Sequence, residues 1–100
     1  MAGINYLPLA IRDIDRVYRW YARRSPSAAK GFIASIERTQ IQVVANPLSF
    51  AEYEVGHRFC RLDRYPYLFV YRIFFGDPLV VAVAHAKRSK RFWQKRSSAR

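Results

Sequence analysis

Cysteine is nearly absent: Cys60 is the single one in 100 residues. That excludes an internal disulfide and argues weakly for a reducing compartment. Glycine is scarce as well. The four glycines are scattered, so no glycine-rich loop of the kind that cradles phosphate is present. Long apolar runs are missing. The longest, Leu79 to Ala84, falls far short of the roughly 20 residues of a transmembrane helix. The first ten residues lack the basic start and apolar stretch of a signal peptide. These absences lead us to expect a cytoplasmic chain with no membrane partner. Two histidines and one cysteine at unrelated spacing do not make a zinc motif, so neither a metal nor another cofactor is expected. Acidic residues are also few, with seven in all and none after Asp77.

Basic residues and a core-forming apolar content are present instead. Apolar residues make up 51% of the chain, enough to fill the one modest core that this length supports. We expect a single domain over residues 1–96, with residues 97–100 as a disordered tail. Eighteen basic against seven acidic residues give a formal charge of +11. Such a field draws nucleic acid, acidic protein segments or anionic surfaces, although it also serves plain solubility. Fourteen of the basic residues are Arg, whose fork suits phosphate and carboxylate. Lys87, Arg88, Lys90, Arg91, Lys95, Arg96 and Arg100 crowd the acid-free end.

The order of elements follows from periodicity and punctuation. Ile4 to Leu7 reads as a short strand stopped by Pro8. From Leu9 to about Arg24, Ile11, Ile14, Val17, Tyr18 and Tyr21 share one helical face, with Arg12, Arg16, Arg19 and Arg23 largely on the other. Ser25-Pro26 caps a second helix that carries Ala29, Phe32, Ile33, Ile36, Val43 and Val44 and stops at Asn46-Pro47. The short link between the two predicts an antiparallel helical hairpin. Gly31, costly inside a helix, suggests a close helix–helix approach. Leu48 to Gly56 reads as a connection. Three strands follow, at Phe59–Asp63, Tyr67–Phe75 and Leu79–Ala86, with the last two joined through Gly76-Asp77-Pro78. Phe92 to Arg96 reads as a short C-terminal helical segment. The fold class is therefore α+β: an N-terminal strand, a helical hairpin and a three-stranded antiparallel meander.

His85-Ala-Lys-Arg88, then Phe92-Trp93 and Arg96, resembles the terminal pattern of RelE/ParE-type toxins. Trp20-Tyr21, Phe32, Asn46-Pro47 and Tyr65-Pro66-Tyr67 are similar to the plasmid-stabilisation, ParE-like branch of that superfamily. The likeness runs from about Ile4 to Arg96, and Lys90 departs from it by standing where many relatives have proline. The resemblance implies the toxin of a bacterial type II toxin-antitoxin system. Such a toxin inhibits growth and is held in a hetero-oligomer by a cognate acidic antitoxin. It implies two possible targets. One is DNA gyrase, poisoned by binding; the other is messenger RNA on the ribosome, cut by an endoribonuclease of the RelE type. A non-toxic RNA-binding module is a further alternative.

The residues favour binding over cutting. Cleavage by the 2′-hydroxyl needs a base, an acid and cations around the phosphate. RelE-like nucleases place an arginine near the position of Leu68, and this chain has none there. Phe92, Trp93 and Gln94 cannot transfer protons, and an arginine is implausible as a base at its ordinary pKa. The weak catalytic candidates are Arg61, His85 and Arg88. A lone histidine at a strand end is more often structural, and His57 has still less claim to chemistry. Target-binding candidates are Arg58, Arg61, Arg88, Arg91, Trp93 and Arg96. Trp93 has two readings, a core anchor or an exposed contact. Arg58, Arg61 and Arg64 form a second basic cluster that joins the terminal residues if their faces agree. Arg72, among apolar neighbours, either pairs with a carboxylate such as Asp63 or faces a partner.

Overall fold

The computed structural model describes residues 3–53, 56–88, 93, 95 and 96. Chain order is β1 (Asn5–Tyr6), α1 (Pro8–Ala22), α2 (Pro26–Ala45), β2 (Glu52–Tyr53), β3 (His57–Arg61), β4 (Tyr67–Phe74) and β5 (Asp77–His85). Trp93, Lys95 and Arg96 are helical. The α+β expectation holds, with one strand more than periodicity suggested. β2 is two residues long, too short for an alternation to register. It pairs antiparallel with β3 inside the stretch expected to be a plain connection.

The five strands are ordered β1-β5-β4-β3-β2. The pairs β5/β4, β4/β3 and β3/β2 are antiparallel, and β1 runs parallel to β5 at its outer edge. β1 leads straight into α1, where Leu7 N–H donates to the Val80 carbonyl (2.9 Å) and the Leu7 carbonyl accepts from Ala10 and Ile11. Pro8 stands in the first turn of α1, where a missing N–H costs nothing. α2 begins as its sequence dictates: Ser25 Oγ accepts from Ala28 N–H (3.2 Å), and Pro26 follows it. Asn46-Pro47 ends it.

The limits of β3 and of the β4–β5 turn need correction, and the helical face is shifted in part. β3 begins at His57 and ends at Arg61, earlier at both ends than Phe59–Asp63. The turn between β4 and β5 is Phe75-Gly76, not Gly76-Asp77-Pro78. Both residues have positive φ (50° and 87°), and Phe74 pairs with Asp77 across the turn. On α1 the buried positions are Ala10, Asp13 and Val17, while Ile11 is 51% exposed. Val17, Ile14 and Tyr21 of the expected face do pack on the core, and the buried side extends past them to Ala10 and Asp13, leaving Ile11 and Tyr18 outside.

The main core lies between the helices and the sheet, around Phe32, Ile36, Val43, Phe69, Tyr71, Val80 and Val83. A second cluster, of Val70, Val81, Ala82, Ala84 and Trp93, covers the opposite face. A bulge lets β5 serve both. Val70 pairs with Ala82 and Tyr71 with Val80, which leaves Val81 as the extra residue. Val80 and Val83 therefore face the helices, and Val81 and Ala82 face away.

Tyr6 anchors the sheet edge. Its ring meets Phe69 edge-on, and its hydroxyl donates to Gln40 Oε1 on α2 (2.5 Å). Burial pushes its pKa up to about 12. The folded chain thus keeps a proton that the unfolded chain loses near pH 10, so this contribution is complete below pH 10 and is lost as pH rises towards about 12. Denaturant midpoints measured across that window should fall less steeply for Tyr6→Phe than for the parent.

Candidate target-binding surface

The terminal arginines were expected to lack local acids, and locally they do. The acid comes from the other end of the chain. Asp13, on the inner face of α1, receives two bonds from the Arg96 guanidinium, Nη1 to Oδ2 at 2.7 Å and Nη2 to Oδ1 at 3.1 Å. The same carboxylate accepts from Val83 N–H (3.0 Å) and from Arg16 Nη2 (3.0 Å), and Arg96 Nη1 also donates to the Val81 carbonyl (3.1 Å). The side chains of Asp13 and Arg96 are 1% and 9% exposed. The pair therefore closes the edge of β5 just beyond the point where β1 stops covering it. It satisfies backbone groups flanking the bulge that no strand reaches. This corrects the reading of Arg96 as a contact residue: its fork is spent inside the protein.

Trp93 resolves in the same direction. It is 2% exposed, lies 4.9 Å from the His57 ring and 6.3 Å from Tyr53, and belongs to the cluster behind the sheet. Of its two readings the structure supports the core anchor. His57 is buried beside it.

The cluster of Arg58, Arg61 and Arg64 does not form one patch. Arg58 and Arg61 are three residues apart on β3, so their side chains leave opposite faces. Arg58 turns to the connection after α2. It donates to the carbonyls of Phe50 (2.9 Å) and Leu48 (3.2 Å) and pairs with Glu52 at 3.5 Å. It clamps the loop that leads from α2 to β2. Arg64 sits in the turn after β3 with φ 71°. Arg61 is exposed on the face away from the helices, in register with Leu68 and through it Ala84. Arg88 is exposed just past β5. Of the six target-binding candidates, Arg61 and Arg88 are thus the exposed cations at this end of the sheet, and Arg91 lies outside the described residues, as does Lys90. Arg72 does not meet Asp63. It lies 5.9 Å from the Phe74 ring, and Asp63 instead pairs with Arg38 at 3.8 Å.

His85 ends β5 in a tight turn. Its Nδ1 accepts from Lys87 N–H (3.1 Å), its carbonyl accepts from Arg88 N–H, and its ring stands edge-on to Tyr67 at 5.4 Å. Burial pushes the Tyr67 phenol above its ordinary value, opposed by the Arg16 charge. Tyr21 moves the same way through burial, then through Tyr67 and Tyr65. These phenols stay protonated at neutral pH and supply no base. Tyr65, in the same aromatic group, donates from its hydroxyl to the Ala28 carbonyl (2.8 Å) and lies against Gly31. A Cβ at position 31 would collide with that hydroxyl, so Gly31 makes room for Tyr65 and not for a helix. Among the described residues no group of three or more His, Cys, Asp or Glu is placed to hold a metal, and no helix is long and apolar enough to cross a membrane.

Sequence reasoning missed Asp13, yet a signal was present. Positions 10, 13 and 17 share one side of a helix, and a carboxylate between Ala10 and Val17 must find a cation when that side is buried.

The chain is an α+β domain in which a helical hairpin packs on a mostly antiparallel sheet, with exposed arginines at the sheet's end. Residues 4–90 match the family described as ParE toxin of type II toxin-antitoxin system, parDE, and the chain belongs to that family. Ten solved chains are similar. One, described as "Chromosomal ParDE TA system from P. aeruginosa", superposes with a TM-score of 0.73 at 20% identity, covering 85% of this chain and 96% of that one. At that identity the likeness shows the shared fold. No curated protein matches.

Proposed function

We propose that this chain inhibits growth by binding DNA gyrase and is neutralised by a cognate acidic antitoxin within a hetero-oligomer. Membership of the ParE toxin family is the observation that carries the reading. The local chemistry supports binding over cleavage. Arg61 and Arg88 offer phosphate or carboxylate contacts, while Tyr67 is held protonated and His85 Nδ1 is engaged by the turn. Arg61, Arg88 and, beyond the described residues, Arg91 are the target-binding residues of this proposal. The antitoxin's place is supported by a groove of about 320 Å³ between the helices, lined by Ile11, Ile14, Asp15, Tyr18 and Ile33. An amphipathic segment buries its apolar side there while its acids meet the +11 field.

Induction of the chain alone should halt growth, raise a DNA-damage reporter and leave transcripts intact, and co-expression of the neighbouring antitoxin gene should restore growth. Arg61→Ala/Arg88→Ala should lose toxicity while keeping its thermal midpoint. Transcripts cut at ribosomal A-site codons without DNA breaks would instead establish the endoribonuclease.

A further inference from the structure

The outer face of α1 carries a row of charge set apart from the apolar core and groove, although two of its members reach carboxylates that belong to them. Arg12, Arg16 and Arg19 lie on the helix, and Arg23 at its C-cap keeps helical geometry (φ −70°, ψ −19°). At 3.6 residues per turn these four fall within about 60° of arc and span roughly 16 Å along the axis. All four are exposed. Two are held in place by ion pairs, Arg16 to Asp13 and Arg19 to Asp15, both at 3.0 Å, yet keep 59% and 69% of their side-chain surface open. Arg96 also draws on the Asp13 carboxylate, so the row stays strongly positive.

We propose that this row is a docking surface for the phosphate backbone of duplex DNA. Three observations select that partner. The row has no apolar residue within its arc, so a protein segment laid on it would bury little apolar surface, whereas a phosphate backbone needs none. All four residues are Arg, which forks onto phosphate and presents its charge on a rigid, evenly spaced support. The neighbouring aromatic, Trp20, carries the Arg24 guanidinium over its ring at 3.8 Å and Tyr21 edge-on at 5.1 Å. One ring face is thus occupied, which leaves less platform for stacking unpaired bases, but Trp20 keeps 44% of its surface exposed and a single strand is accordingly an arm of the test. The choice of DNA over RNA rests on the gyrase reading, since a gyrase-directed protein meets its target on duplex DNA.

The test is fluorescence anisotropy with the full chain, no gyrase present, and a labelled mixed-sequence duplex of about 20 base pairs over a salt series. Arg12 and Arg23 alone predict a slope of log K against log salt of about −1.8, and all four about −3.6 once Arg16 and Arg19 leave Asp13 and Asp15. Arg12→Ala/Arg23→Ala, with an unchanged thermal midpoint, should lower the slope's magnitude by about 1.8 and weaken binding roughly 50-fold near 0.1 M salt. Lys30→Ala/Arg38→Ala, which removes the same charge from exposed positions on α2, should retain the parent slope and affinity. Equal weakening by both variants would reduce the row to net charge and overturn the proposal. Tighter binding of a single strand, an RNA duplex or a glutamate-rich peptide would also overturn it. Because gyrase is absent, failure here leaves the gyrase reading standing, and failure of that reading leaves this measurement interpretable.

Discussion

Asp13→Ala is expected to lower the free energy of unfolding by about 3–5 kcal/mol, the cost of breaking a buried ion pair by deleting one member. The substitution takes the carboxylate from the Arg96 guanidinium, 9% exposed, which keeps the Val81 carbonyl, and removes the Asp13 acceptor of Val83 N–H. Arg96→Ala should cost less, because Asp13 keeps Arg16 and Val83 N–H as partners. Replacing both by apolar residues, Asp13→Leu/Arg96→Met, should recover part of the loss, since a buried pair repays its own desolvation poorly. Urea unfolding of the four proteins gives the order directly. Equal stability of parent and Asp13→Ala would mean that Arg96 does not engage α1 in solution. The result bears on function as well: lost toxicity in an Arg96 variant reads first as a loosened fold, and only then as a lost contact.

Trp93→Ala should be comparably severe, about 3–5 kcal/mol for truncating a large buried aromatic. The ring fills the space behind Val70, Val81 and Ala84 and touches His57 and Tyr53, and it is the large buried ring of a cluster otherwise flanked by the partly buried Leu7, Phe59 and Leu68. The two tryptophans make the test readable. Trp93 is buried and Trp20 is 44% exposed, so Trp93→Ala should remove the blue-shifted part of the emission. It should also couple to Arg96→Ala, because both anchor one short segment, and their summed costs should exceed the cost of the double variant. An unshifted emission spectrum with parental stability would place Trp93 at the surface and restore it as a contact residue.

The sequence made the frame legible where punctuation was strong. Ser25-Pro26 and Asn46-Pro47 bounded α2 to within a residue, and the aromatic and β-branched run from Tyr67 was placed as a strand to within a residue of β4. Three things escaped it, each for a physical reason. The bulge at Val81 is invisible to periodicity, because a run of Val and Ala reads alike on either face. β2 is too short to show a period. The partner of Arg96 lies 83 residues away, and charge arguments made along the chain cannot see a contact made across it. The same limit dispersed the Arg58–Arg64 cluster, whose members share a stretch of sequence but not a face. The terminal basic run was therefore half structural. Trp93 and Arg96 fasten it down, and Arg61 and Arg88 are left at the surface.

The proposal that this domain poisons gyrase by binding is decided by incubating the purified chain with gyrase, ATP and relaxed plasmid, then trapping cleavage complexes with detergent and protease. Linearised plasmid should accumulate with toxin concentration, be suppressed by the antitoxin, and be lost in Arg61→Ala/Arg88→Ala. Complete supercoiling at large molar excess of toxin, with no linear product, would contradict it.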